Sequence, residues 1–119
     1  MAETICHFEL MSNDPAKSRA FYSQIFNWKF KDEPQMGGYT MIDTGGEPGG
    51  GLFAKPAEVP KPSMNIYIQV QSIEETLGKV RRAGGKIISE KTQIPNIGYW
   101  AMFLDPDEIC VGIFEPLPR

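Results

Sequence analysis

Shifted by 58 residues, the chain lies over itself: His7-Phe8-Glu9-Leu10-Met11-Ser12-Asn13-Asp14 falls on Asn65-Ile66-Tyr67-Ile68-Gln69-Val70-Gln71-Ser72. In each copy a period-2 strand runs into a helix N-cap. The helix then empties into Asn27-Trp28-Lys29-Phe30 or Gly85-Lys86-Ile87-Ile88. Two copies of one supersecondary unit, each with an apolar helix face it cannot bury alone, are expected to pair around a shared core. Function is then sought on the concave surface between the copies.

A chain of 119 residues is read as one domain over 1–119, with module one at about 5–54, a connection at 55–63 and module two at about 64–116. The connection holds Pro56, Pro60 and Pro62, which bar regular structure. A net charge of −3, with no Lys/Arg cluster larger than pairs such as Arg81-Arg82, argues against a nucleic-acid partner. No apolar run is long enough to span a membrane, and Met1-Ala2-Glu3-Thr4 carries no leader pattern, so the expected location is cytoplasmic. Cys6 shares the parity of Phe8 and Leu10, Cys110 that of Gly112 and Phe114. They are expected on opposite faces with no disulfide.

The first strand covers about Ile5 to Met11, with Phe8 and Leu10 on one face and His7, Glu9 and Met11 on the other. Asn13 or Asp14 caps a helix that has Pro15 in its first turn, runs to about Phe26 and turns Ser18, Phe21, Tyr22 and Ile25 inward. Strands follow near Trp28–Lys31, Tyr39–Asp43 and Leu52–Ala54, with Trp28 and Phe30 packed under the helix. In the second copy Asn65–Val70 alternates and Ser72 with Glu75 forms a capping box. Ile73, Thr76, Leu77, Val80 and Ala83 then recur at helical spacing until Gly84-Gly85 ends the helix. Strands near Lys86–Lys91, Tyr99–Leu104 and Cys110–Glu115 complete a second βαβββ module.

Phe21-Tyr22-Ser23-Gln24-Ile25-Phe26-Asn27-Trp28, Ala83-Gly84-Gly85-Lys86 and Phe103-Leu104-Asp105-Pro106-Asp107, in this order within a duplicated chain, resemble the vicinal oxygen chelate superfamily of glyoxalases, bleomycin-resistance proteins and dioxygenases. Gly38-Tyr39-Thr40-Met41-Ile42-Asp43, Gly49-Gly50-Gly51-Leu52 and Gly112-Ile113-Phe114-Glu115-Pro116 are similar to its group related to lactoylglutathione lyase. The resemblance implies an α+β fold in which two βαβββ modules form a curled, open, barrel-like mixed sheet with the helices outside. It also implies pairing of two copies into a homodimer. It further implies a divalent metal held by four side chains, one from the first and one from the last strand of each module. His7 matches one such position. Asn65, Gly112 and Gly51, or Leu52 in a shifted register, stand at the others and offer poor donors or none. The expectation is a site with no metal and no other cofactor.

Strand parity gathers His7, Glu9 and Met11 from one copy and Asn65, Tyr67 and Gln69 from the other, with Phe53, Trp100, Phe103 and Phe114 as apolar wall. Polar groups converging in a partly apolar concavity are what orient a small ligand. Three functions stay open: a metal-independent small-molecule binder; an enzyme moving a proton beside a carbonyl, with Glu9 or His7 as base and Tyr67 or Asn65 as oxyanion donor; and a metal-dependent lyase or dioxygenase with a non-standard donor set of His7, Glu9 and Cys110. Replacing Glu9 or Tyr67 by Ala is expected to weaken ligand handling while costing stability only about 0.5 kcal/mol.

Overall fold

The alternation of the first copy becomes β1 (Ile5–Ser12), whose Phe8 and Leu10 are buried with Ile42 and Leu52 in one apolar cluster. The structure is a computed structural model and describes residues 2–118. Met1 and Arg119, the ends of the span read as a single domain, lie outside the described residues. Two units are distinguished: His7–Asn65, and the residues before His7 together with those from Ile66 onward.

In the first unit β1 is followed by α1 (Pro15–Ile25), β2 (Lys29–Glu33), a single 3-10 turn at Pro34–Met36, β3 (Tyr39–Asp43) and β4 (Gly50–Ala54). Asp14, not Asn13, is the cap: its carboxylate accepts from the Lys17 N–H at 3.2 Å, and Pro15 opens the helix where a missing N–H costs nothing. The strand order is β2-β3-β4-β1, with β1 and β4 parallel and the other pairs antiparallel. Each large apolar side chain of the cluster contributes roughly 1.5–3 kcal/mol by leaving water.

The inward face of α1 differs from the expected one. Pro15, Ser18, Arg19 and Tyr22 are half-buried, whereas Phe21 and Ile25 are 56% and 51% exposed. Polar anchors choose this face. The Ser18 hydroxyl bonds the Ser12 hydroxyl at 2.7 Å, and Arg19 reaches the Asp32 carboxylate at 3.0 Å and the Phe30 carbonyl at 3.3 Å. Tyr22 then stacks on Trp28 at 5.8 Å, and Trp28 lies 5.6 Å from Phe8. Trp28 and Phe30 thus pack under the helix as expected.

The second unit contains β5 (Ser63–Gln69) from Ile66 on, α2 (Ile73–Arg82), β6 (Lys86–Ile94), β7 (Gly98–Leu104) and β8 (Cys110–Pro116), in the order β5-β8-β7-β6. The Thr4 carbonyl accepts from the Gln69 N–H at 2.8 Å, which ties the residues before His7 to this unit. Ser72 caps α2 by accepting from Glu75 N at 3.2 Å, and Ile73 and Leu77 are buried among Val70, Ala101 and Ile113. Phe103, expected on the ligand-facing wall, packs against this cluster instead, because β7 turns Ala101 and Phe103 to the core and Trp100 and Met102 away. Cys6 and Cys110 form no disulfide. Among the described residues no helix is long and apolar enough to cross a membrane.

The face chosen by α1 sets an expected contrast in stability. Phe21→Ser should shift the unfolding free energy by no more than about 0.5 kcal/mol, whereas Leu52→Ala should cost about 2–5 kcal/mol. Urea denaturation of the two variants measures both.

Candidate functional site

The face of β1 opposite Phe8 and Leu10 carries His7, Glu9 and Met11, and it is not an exposed surface: Glu9 and Met11 are 6% and 1% exposed, and His7 is half-buried. A third residue joins His7 to Glu9. The Tyr39 hydroxyl, from the start of β3, donates to Glu9 Oε2 at 2.8 Å and lies 2.8 Å from His7 Nε2. A phenol has one proton. With that proton on Glu9, the contact with His7 requires hydrogen on Nε2, which selects that tautomer of the neutral ring.

Glycine makes this geometry sterically accessible. Gly51 sits on β4 directly opposite Glu9, and a Cβ there would overlap the hydroxyl and ring of Tyr39. Tyr39 also stacks on Phe53, two residues along the same face of β4, at 5.7 Å. The phenol is held well above its ordinary range, first by burial, then by the negative charge of Glu9 and by its hydrogen bond to that carboxylate. Burial holds His7 below its ordinary 6.5, outweighing the attraction of Glu9 Oε2 at 3.9 Å. The set is therefore a neutral imidazole, a phenol that keeps its proton and a buried carboxylate.

The second unit repeats the backbone register with other side chains. Glu9 faces Gly51 across parallel strands, and Tyr67 faces Gly112 in the same way. Leu10 with Leu52 corresponds to Ile68 with Ile113, and Met11 with Phe53 to Gln69 with Phe114. Gly51, not Leu52, is thus the counterpart of Gly112. Over Gly112 the ring of Tyr67 fills the volume a Cβ would enter. Tyr67 is buried, Gln69 and Trp100 are half-buried, and Trp100 pairs with Phe114 across β7 and β8.

Of the residues expected in the site, His7 and Glu9 are brought together directly. Met11 lines an open cavity of about 230 Å³ with Ser12, Ser18, Tyr22 and Met64, all in the first unit. Asn65, the copy of His7, is 1% exposed, and neither its Nδ2 nor its Oδ1 has a hydrogen-bond partner among the described residues. Tyr67, Gln69, Trp100 and Phe114 belong to the second unit. Tyr39 was legible only as the start of a strand. The signal for it was Gly51, which stands diagonal to Tyr39 once Met41 is paired with Gly51.

The expected low cost of truncating Glu9 or Tyr67 does not fit this burial. Tyr67→Ala would empty the space above Gly112, a change of the kind that costs about 3–5 kcal/mol for a large aromatic. The four-ligand metal set implied by the resemblance does not fit these residues either. Positions 51 and 112 supply no donor atom, and tyrosine rings occupy the space above them. Among the described residues no three His, Cys, Asp or Glu side chains are grouped as a metal site.

Comparisons with known proteins agree with this architecture. The family model for the glyoxalase/bleomycin resistance protein/dioxygenase superfamily matches residues 4–113, and the chain belongs to that superfamily. It is 27% identical over 113 residues to the glyoxylase-named protein CFP32 of Mycobacterium tuberculosis, covering 90% of this chain and 43% of that protein. The chain therefore spans less than half of that relative. A glyoxylase-like domain-containing protein of Didymella fabae is 29% identical over 111 residues, with 87% of this chain and 86% of that one covered. The fold is shared with a crystallised superfamily member from Vibrio splendidus, with a TM-score of 0.66, 16% identity, and 98% and 100% of the two chains covered.

Two outcomes follow from the site geometry. Gly51→Ala should destabilise by about 1–3 kcal/mol through overpacking, and Gly51→Ala with Tyr39→Ala should cost less than the sum of the single changes. Because the folded-state pKa of His7 lies below 6.5, its neutral form stabilises fully above pH 6.5. That stability is lost as the pH falls below 6.5, where the unfolded chain binds the extra proton. Thermal melts between pH 7.5 and 5.5 should show this slope in the wild type and a shallower one in His7→Gln.

Proposed function

We propose that the chain is a small-molecule-binding domain of the glyoxalase/bleomycin-resistance type whose ligand is met by a hydrogen-bonded side-chain set in place of the usual metal. The observation that carries this reading is the Tyr39 hydroxyl shared between Glu9 and His7 on the face opposite the core. A preorganised polar trio with the Tyr39–Phe53 stack suits a compact, partly aromatic compound.

A second reading, proton transfer beside a carbonyl, is favoured by the state of His7. Its ring is neutral near pH 7, and a positive charge formed on it would lie 3.9 Å from Glu9. The mycobacterial relative is itself named a glyoxylase. Here His7 is the base, and Tyr39 is a positioning residue that fixes the tautomer.

A compound screen by thermal shift, followed by turnover assays on the hits, separates the two readings. Binding raises the melting temperature with ligand concentration. Tyr39→Phe should abolish the shift for hits that use the trio while the variant remains folded. Conversion of a hit by the wild type and not by His7→Gln selects the enzyme; hits that bind unchanged select the binder. A screen in which Tyr39→Phe and wild type respond alike to every hit would contradict the reading.

A further inference from the structure

The cavity of about 230 Å³ in the first unit is built on residues outside the trio: none of His7, Glu9, Tyr39 or Phe53 borders it. Its floor is the buried end of β1 at Leu10, Met11 and Ser12, and α1 supplies half-buried Ser18 and Tyr22. Ser63 and Met64 stand exposed at its mouth. Among the described residues no charged side chain lines it. The Ser12 and Ser18 hydroxyls bond each other at 2.7 Å, and Ser12 Oγ also accepts from the Asp14 N–H at 3.0 Å. Each hydroxyl has one proton, and either oxygen can be the donor in the bond between them. Whichever donates, the other keeps a proton with no partner among the described residues. The pair therefore presents one O–H donor to a cavity without charge, held in place by the docking of α1 on β1.

We propose that this cavity is a second ligand site, separate from the trio, for a neutral aromatic compound that carries a carbonyl. A cavity of about 150 Å³ suffices for benzene, so this one admits a single ring with a small substituent. A carboxylate or an ammonium group would shed its hydration with no opposite charge to meet it. A carbonyl oxygen accepts the spare hydroxyl proton, whereas a hydrocarbon of the same shape leaves that donor unmet and desolvated. The polarisable thioethers of Met11 and Met64 favour contact with an aromatic ring, and Tyr22 adds a ring of its own. The site uses no group of the trio, so it stands or falls apart from the reading given for Tyr39, Glu9 and His7.

Acetophenone, isopropylbenzene and benzoate serve as probes because they share a ring and a branched substituent and differ in whether it offers an acceptor or a charge. Calorimetric titration and thermal melts are run on the wild type, on Ser12→Ala combined with Ser18→Ala, on Ser63→Trp and on Tyr39→Phe. The double variant is needed because either serine alone still carries a free hydroxyl proton. The wild type should bind acetophenone roughly tenfold more tightly than either other probe. The double variant should lose that preference and bind acetophenone and isopropylbenzene alike. Ser63→Trp, at an exposed position, should weaken acetophenone roughly tenfold by filling the mouth, and it decides the matter alone if the double variant does not fold. Tyr39→Phe should bind acetophenone as the wild type does. The inference is overturned if acetophenone does not bind the wild type, or if isopropylbenzene or benzoate binds it as tightly. It is equally overturned if the folded double variant or Ser63→Trp keeps wild-type affinity for acetophenone, or if Tyr39→Phe loses it, which would assign the probe to the trio.

Discussion

The Tyr39 hydroxyl can stand between Glu9 and His7 only because position 51 carries no side chain. From that one vacancy follow the tautomer of His7, the retention of the phenolic proton beside a buried carboxylate, and the closure of the space above β4. A side chain at 51 would displace Tyr39 and break both hydrogen bonds, depriving the buried Glu9 of the Tyr39 hydroxyl. Glycine here is defined by what lies over it rather than by backbone conformation.

The two units show one backbone plan filled in two ways. The registers that pair Glu9 with Gly51 and Tyr67 with Gly112 are equivalent, as are the strand orders on either side of them. In the first unit the ring over the glycine comes from β3 and carries its hydroxyl to a carboxylate. In the second it comes from β5, directly opposite the glycine. A duplicated scaffold has thus kept the empty position twice and covered it from different strands. The chemistry differs accordingly: an acid, a phenol and an imidazole in one unit, and a packed aromatic with a half-buried glutamine in the other.

Much of this was legible in the sequence because it depends on local rules. Strand parity placed Phe8 and Leu10 in the core and His7, Glu9 and Met11 opposite them, and the Asp14 and Ser72 caps fixed where the helices begin. The inward face of α1 is not legible locally because apolar residues at 21 and 25 compete with Ser18 and Arg19, whose partners Ser12 and Asp32 are known only once strands are in place. Phe103 packs on the core for a reason the sequence hides: an aromatic on a strand does not announce which face is core. The role of Tyr39 is not legible in the sequence because it depends on the β3–β4 register, a non-local fact. Asn65 reads as a poor metal ligand from the sequence, and its burial emerges only from three-dimensional packing.

We propose that the polar centre of the first unit is organised by hydrogen bonds through Tyr39 in place of a metal. The most direct measurement is the metal content of protein purified from medium supplemented with manganese, nickel and zinc, combined with calorimetric titration of each ion. The account predicts well below one equivalent retained and no tight binding on titration. One equivalent per chain, bound tightly and lost in His7→Ala, would contradict it.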